Sequence, residues 1–249
     1  MSSQGRDRHP VIPALPRRLG LGDRELVSIV GAGGKSTLLF AVGRDLAAPG
    51  AQVILTTTTR VGADQPREPI CWSADPDAVE AALVEAARGR NLPLFVAAGR
   101  ESGKIVGLSP AAVNLLFLRT GADYVIVEAD GAAGMAIKAP ADHEPVIPGA
   151  STTVVVVASI AAVGRPISAV AHRPERLSGL IAARPDDHLT IEGMAAVLLH
   201  PGGGLKGIPE RARVVMVITH VTPATEGPAR ALTGILGAHP RVERAISLP

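Results

Sequence analysis

The chain has little sulfur and few aromatic rings: one cysteine (Cys71), one tryptophan, one tyrosine and three phenylalanines among 249 residues. One cysteine excludes an internal disulfide and any cysteine-rich metal site, and it suits a reducing compartment. Long apolar runs are missing as well. The longest, residues 154–163 interrupted by Ser159, falls short of the roughly 20 residues that a spanning helix needs. The start, MSSQGRDRHPVIPALPRR, lacks the unbroken apolar stretch of a secretory signal, so the expected location is the cytoplasm. Nor is there an excess of one charge. Lys and Arg number 25 against 23 Asp and Glu and are scattered among them, so neither nucleic acid nor membrane is an expected partner.

What the chain does have is aliphatic bulk. Hydrophobic residues make up 47% of it, enough to bury a sizeable core without aromatics. Residues 1–20, with three prolines and several arginines but no periodicity, read as a flexible arm. Order is expected to begin near Glu25, and residues 21–249 read as one domain. Short β-branched runs at 26–30, 52–57, 94–97, 124–128, 152–158 and 213–219 alternate with helical patterns at 35–46, 75–88, 110–118, 175–183, 191–199 and 225–237. That alternation predicts an α/β fold, a mainly parallel sheet flanked by helices.

The first strand runs directly into Gly31-Ala32-Gly33-Gly34-Lys35-Ser36-Thr37, after which helical spacing resumes. Strand, glycine turn and helix form the ready-made anion site of a P-loop. Glycines admit positive φ, backbone amides close on a phosphate, and the helix start presents its dipole. Lys35 is expected on the β- and γ-phosphates and Ser36 on Mg²⁺. The usual glycine six positions before the lysine is Ile29 here, so the expectation is a P-loop NTPase-like fold with a shortened phosphate loop. The shortened form resembles the ATP loop of Mur-type peptide ligases.

A second strand ends in Glu128-Ala-Asp130, two carboxylates placed to hold Mg²⁺ or orient a water beside a terminal phosphate. A bare Asp-Gly turn is the bland alternative for Asp130. Lys35, Glu128 and Asp130 are therefore the candidate catalytic residues. A third run carries threonines at 56–59 and then Arg60, where Thr57 and Thr58 are expected near the metal or γ-phosphate, although threonine is also simply a good strand former. Candidate metal ligands are Ser36, Thr57, Glu128 and Asp130. Lys138, His143 and Glu144, in a proline-rich loop, together with Arg60, His172 and Arg173, are candidates for a second substrate, against the plain reading of solvated loop residues.

Three segments, SIVGAGGKSTLLF, ILTTTTR and VIVEADGAAGMAIKAPADHEPVIP, together resemble the YqeC family, described as accessory proteins of selenium-dependent molybdenum hydroxylases. The likeness extends through HRPE at His172 and GGGLKGIP near Lys206. It implies a nucleotide-binding protein that partners a molybdenum hydroxylase or its cofactor-maturation proteins, and it supplies a context rather than a reaction. The family pattern has an Asn-Lys-like sequence after the strand at 213–219, whereas this chain runs into His220-Val221-Thr222. Guanine reading loses its carboxylate there, so ATP is expected over GTP, with Mg²⁺. The leading expectation is a Mg²⁺-dependent NTP hydrolase or phosphotransferase. The alternatives are a Mur-like ligase or small-molecule kinase, and a nucleotide-gated scaffold without catalysis. Oligomeric state is not legible.

Overall fold

The computed structural model describes residues 14–62, 66, 68–87 and 91–249. Thirteen strands and eight α-helices are formed among them. The strands are β1 (Glu25–Gly31), β2 (Val53–Thr57), β3 (Arg60–Gly62), β4 (Ile70–Cys71), β5 (Leu94–Val96), β6 (Gly99–Glu101), β7 (Lys104–Val106), β8 (Tyr124–Glu128), β9 (Ile137–Lys138), β10 (Thr153–Ser159), β11 (Ala171–His172), β12 (Arg213–Thr219) and β13 (Arg244–Ser247). The helices are α1 (Leu15–Leu19), α2 (Lys35–Ala47), α3 (Pro76–Ala87), α4 (Pro110–Arg119), α5 (Ile167–Val170), α6 (Pro174–Leu180), α7 (Ile191–Leu199) and α8 (Glu226–Gly237).

Eight strands form one sheet in the order β13-β12-β10-β1-β8-β2-β5-β4, with every neighbouring pair parallel. The expected α/β class is what forms. Strands buried on both faces explain why β1 and β10 read as near-continuous apolar runs. Side chains alternate across the sheet. Leu26, Val30, Val154 and Val156 join the core beneath α3, α4 and α7, while Val27, Ile29, Val155 and Val157 face α1 and α2. From β1 the chain crosses to β2 on one side, and later to β10 on the other. The carboxyl end of β1 is therefore a topological switch point, where open α/β sheets place ligands.

The opposite end of the strands, their amino-terminal side, is tied by charge. Glu25 at the start of β1 contacts Arg213 at the start of β12, and Arg213 Nη2 also donates to Thr153 Oγ1 at 2.8 Å. Burial works against the Arg213 cation, but its carboxylate partners Glu243 and Glu25 outweigh that and raise its pKa.

The expected start of order near Glu25 is corrected. Residues 15–19, assigned by sequence to the arm, form helix α1 with Leu15 and Leu19 buried against α2, because two leucines four apart place one apolar stripe on the sheet-facing layer. Residues 1–13 of that arm lie outside the described residues, as does Arg88 at the end of a predicted helix. The segment from 99 to 106 lies between the expected strand at 94–97 and the expected helix at 110–118. It forms a hairpin, β6 and β7, whose second strand pairs with β3 in a separate three-stranded sheet.

Candidate functional site

The turn after β1 is shaped by two glycines that nothing larger could replace. Gly31 has φ +97°, and a Cβ there would lie 2.2 Å from the Val157 carbonyl oxygen; Gly33 has φ +76°, and a Cβ there would lie 2.7 Å from Ser159 Cβ. The turn therefore packs directly against β10 and its end. Helix α2 follows with Gly34 as N-cap, and no side chain caps it. Its first-turn amides have no partner within the helix and face outward along the dipole.

Beside this turn lies a cleft of about 450 Å³, within the usual size range of a small-molecule site. Gly33, Gly34, Lys35, Ser36 and Thr37 form its floor, Thr59 and Arg60 one wall, residues 131–135 another, with Glu128 and His220 also exposed to it. Gly31 and Ala32, expected to join the phosphate site, stand behind it: Ala32 is fully buried and its amide donates to the Val157 carbonyl at 2.9 Å.

The charges beneath the cleft form a connected chain. Lys35 Nζ donates to the Gly31 carbonyl at 2.8 Å and sits 3.2 Å from Asp130 Oδ1 and 3.6 Å from Glu128 Oε1. Ser36 Oγ donates to Glu128 Oε2 at 2.7 Å. Asp130 Oδ2 accepts from the Gly31 amide at 3.0 Å and pairs with Lys138 Nζ at 3.0 Å. Its Oδ1 is buried and has no hydrogen bond, because Lys35 approaches it outside hydrogen-bond geometry. Lys138 then pairs with Glu144 at 2.8 Å, and Glu144 with Arg173 at 2.8 Å.

Burial pushes the Glu128 carboxyl up, against the opposing pull of Lys35 and the Ser36 hydroxyl. Glu144 goes the other way. Burial opposes its charge, but the hydrogen bonds from Lys138 and Arg173 prevail and hold it at about 2. His172 is held below the ordinary histidine value, first by burial and then by the nearby Arg173 and Lys138 cations.

The structure thus joins Lys35, Ser36, Glu128 and Asp130 at one place, and it adds Lys138, Glu144 and Arg173 to the same network. Glu128 faces the cleft, whereas Asp130, 2% exposed, lies behind it. Thr57 donates its hydroxyl to the Glu128 carbonyl at 2.9 Å, and Thr58 donates to the Val146 carbonyl at 2.8 Å, so within the run 56–59 it is Thr59 that lines the cleft. His172 joins the network only through the short backbone pairing of β11 with β9, opposite Lys138. His143 is exposed on the loop surface and takes no part in the network.

Sequence reasoning did not find the wall at 131–135, whose small residues carry no side-chain signal. It also missed the clamp at the end of β12. There Thr219 Oγ1 donates to the Gly33 carbonyl, and His220 Nδ1 lies 3.0 Å from Ser159 Oγ.

Among the described residues, no three of His, Cys, Asp and Glu converge as a metal cage, and no helix is long and apolar enough to cross a membrane. The donors at the cleft floor, one hydroxyl and one carboxylate, are hard oxygens. They fit Mg²⁺, which takes one or two protein oxygens and completes its shell with phosphate and water.

A family model described as YqeC protein matches residues 27–175, a span that holds the glycine turn, both strand-end carboxylates and the Lys138–Arg173 network. A protein of Escherichia coli (strain K12), called uncharacterized protein YqeC, is 32% identical over 208 residues, covering 83% of this chain and 80% of that protein.

Proposed function

The chain belongs to the YqeC family, and from that premise and the site's geometry we propose that it binds a nucleoside triphosphate with Mg²⁺ and hydrolyses it or transfers its terminal phosphoryl group. One observation carries the reading: the Ser36 hydroxyl and Glu128 carboxylate meet at 2.7 Å on the floor of a cleft ringed by an uncapped, glycine-entered helix start and its lysine. Such a floor suits the phosphates of a nucleotide. A role in maturing a molybdenum-containing hydroxylase is part of this reading and rests on the family resemblance alone.

In this account the amides of residues 33–37 hold the phosphate oxygens, and Lys35 turns from the Gly31 carbonyl onto the β- and γ-oxygens. Asp130 stays neutralised by Lys138 and keeps the Gly31 amide in place, so the turn holds its shape when Lys35 leaves. Ser36 and Glu128 would hold Mg²⁺, which supplies charge to the phosphate oxygens as they become more negative. In hydrolysis a water oxygen bonds to the terminal phosphorus and the bond to the β–γ bridging oxygen breaks. The nucleoside diphosphate leaves with that electron pair; of the water's two protons, one stays on the released phosphate and the other passes to solvent. ATP is favoured over GTP because β12 ends at Thr219 and runs into His220, bringing no carboxylate to read guanine.

A second reading is supported by the ion chain from Lys35 through Asp130, Lys138 and Glu144 to the partly exposed Arg173. It links the phosphate site to an outer face, as a nucleotide-gated scaffold requires. Phosphate release from ATP and from GTP, with and without Mg²⁺, separates the two. Mg²⁺-dependent turnover that disappears in Lys35→Ala supports the enzyme. Tight binding without turnover supports the scaffold, and neither binding nor turnover sinks both.

A further inference from the structure

The two cations among the described residues that line the cleft differ in their commitments. Lys35 is buried between Glu128 and Asp130, whereas the Arg60 side chain is 59% exposed and, among the described residues, pairs with Glu101, equally exposed. An exposed ion pair of this kind is weak and exchanges partners readily.

The sheet order fixes which end of a nucleotide Arg60 would meet. His220 follows β12, two strands to one side of β1; Glu128 ends β8 and Thr57 ends β2, on the other side. A phosphate chain seated in the glycine turn between them has its terminal phosphate toward Ser36 and Glu128 and its nucleoside toward His220. Arg60 lies at the former end, because the Thr58 amide donates to the Glu128 carbonyl at 3.1 Å and the Thr57 hydroxyl to the same oxygen at 2.9 Å. The base of its small sheet is fastened there too: the Gly107 amide donates to the Thr59 carbonyl at 3.1 Å and the Leu108 amide to the Thr57 carbonyl at 2.8 Å. Arg60 therefore stands on a short, anchored sheet beside the carboxylate end of the cleft, with Glu101 as a carboxylate already engaging its guanidinium.

Resting on the triphosphate reading above, we propose that Arg60 is the group that distinguishes a triphosphate from a diphosphate, exchanging Glu101 for the terminal phosphate. The planar guanidinium that donates to a carboxylate donates to a phosphate with the same geometry. Lysine would supply a point charge without that match.

The test is calorimetric titration of ADP and of the non-hydrolysed β,γ-imido analogue of ATP, each with Mg²⁺, into wild type, Arg60→Ala, Arg60→Lys and Glu101→Gln. Arg60→Ala should weaken the triphosphate analogue by about tenfold and leave ADP within about twofold, as expected for one charge-assisted contact. Arg60→Lys should fall between, and Glu101→Gln should tighten the analogue without touching ADP. Because Arg60 and Glu101 are exposed, none of these changes threatens the fold. An analogue affinity unchanged in Arg60→Ala, or equal losses for both nucleotides, overturns the proposal while leaving nucleotide binding intact. Wild type that binds neither nucleotide overturns the triphosphate reading itself.

Discussion

Lys35 is 4% exposed and faces two buried carboxylates, so it stabilises the protein as well as serving any phosphate. Removing one partner of a buried pair leaves uncompensated charge and costs about 3–5 kcal/mol. Lys35→Ala should therefore lower unfolding free energy by about 3 kcal/mol in urea titrations, and adding Glu128→Gln should restore part of that loss, because one of the two facing charges is then gone. Alone, Glu128→Gln should not lower the unfolding midpoint, since burial already disfavours the Glu128 anion, yet it should abolish Mg²⁺-dependent turnover. A substantial fall in thermal midpoint would contradict the claim that function rather than stability keeps a carboxylate there.

Glu144 gives the opposite sign. Its folded value of about 2 lies below the ordinary 4.5, so its charge stabilises the fold above that ordinary value. This contribution fades as pH falls from about 4.5 toward 2. The stability difference between wild type and Glu144→Gln should accordingly be largest at pH 7 and shrink at pH 3, measured by denaturant unfolding. A difference independent of pH would sink this account of the Lys138–Glu144–Arg173 contacts.

At the scale of elements, the glycine turn is the tightest fit in the site. Gly31→Ala would force a Cβ to 2.2 Å from a β10 carbonyl at a φ of +97°, so the turn must move away from the sheet. The expected result is a loss of about 2 kcal/mol or more together with lost nucleotide binding, read by urea unfolding and calorimetry on the same protein. Unchanged binding would show that the turn is not the phosphate seat. The same elements show what a sequence can disclose. Strands β1, β8, β10 and β12 are long, β-branched and buried, and helices α2, α4, α7 and α8 carry clear spacing, so each is legible within a residue or two. Strands β3, β6 and β7 have three residues each and, unlike the equally short but wholly apolar β5, each contains a charged residue, so no apolar run registers and they are held by pairing that only the folded chain supplies. Edge strand β4 has two residues and was missed for the same reason, as was β13, whose four residues carry no continuous apolar run.

At the scale of the molecule, the sheet order converts residues far apart in sequence into one cleft. The motif at 31–37 and the carboxylate at 128 were readable because their chemistry is local: glycines, a lysine, a hydroxyl and an acid at strand ends. The partnership of Asp130 with Lys138, and of Lys138 with Glu144 and Arg173, was not readable. Asp130 reads as a strand-end acid and Lys138, Glu144 and Arg173 as candidates for a second substrate, but nothing in the sequence pairs them until β9 and β11 come together under the cleft. His143, adjacent to Glu144 in sequence, stays outside that network, which shows how little proximity along the chain says here. A parallel sheet with its switch point at β1 also explains why Lys35 and Arg60 approach one cleft from different crossovers.

The most direct test of the central claim is calorimetric titration of ATP and GTP, with Mg²⁺, into wild type and into Lys35→Ala whose fold has been verified by circular dichroism. Wild type should bind ATP at micromolar concentration and GTP more weakly, and the variant should lose at least tenfold in ATP affinity. Wild type that binds neither nucleotide, or a folded Lys35→Ala that binds ATP as well as wild type does, would contradict that claim.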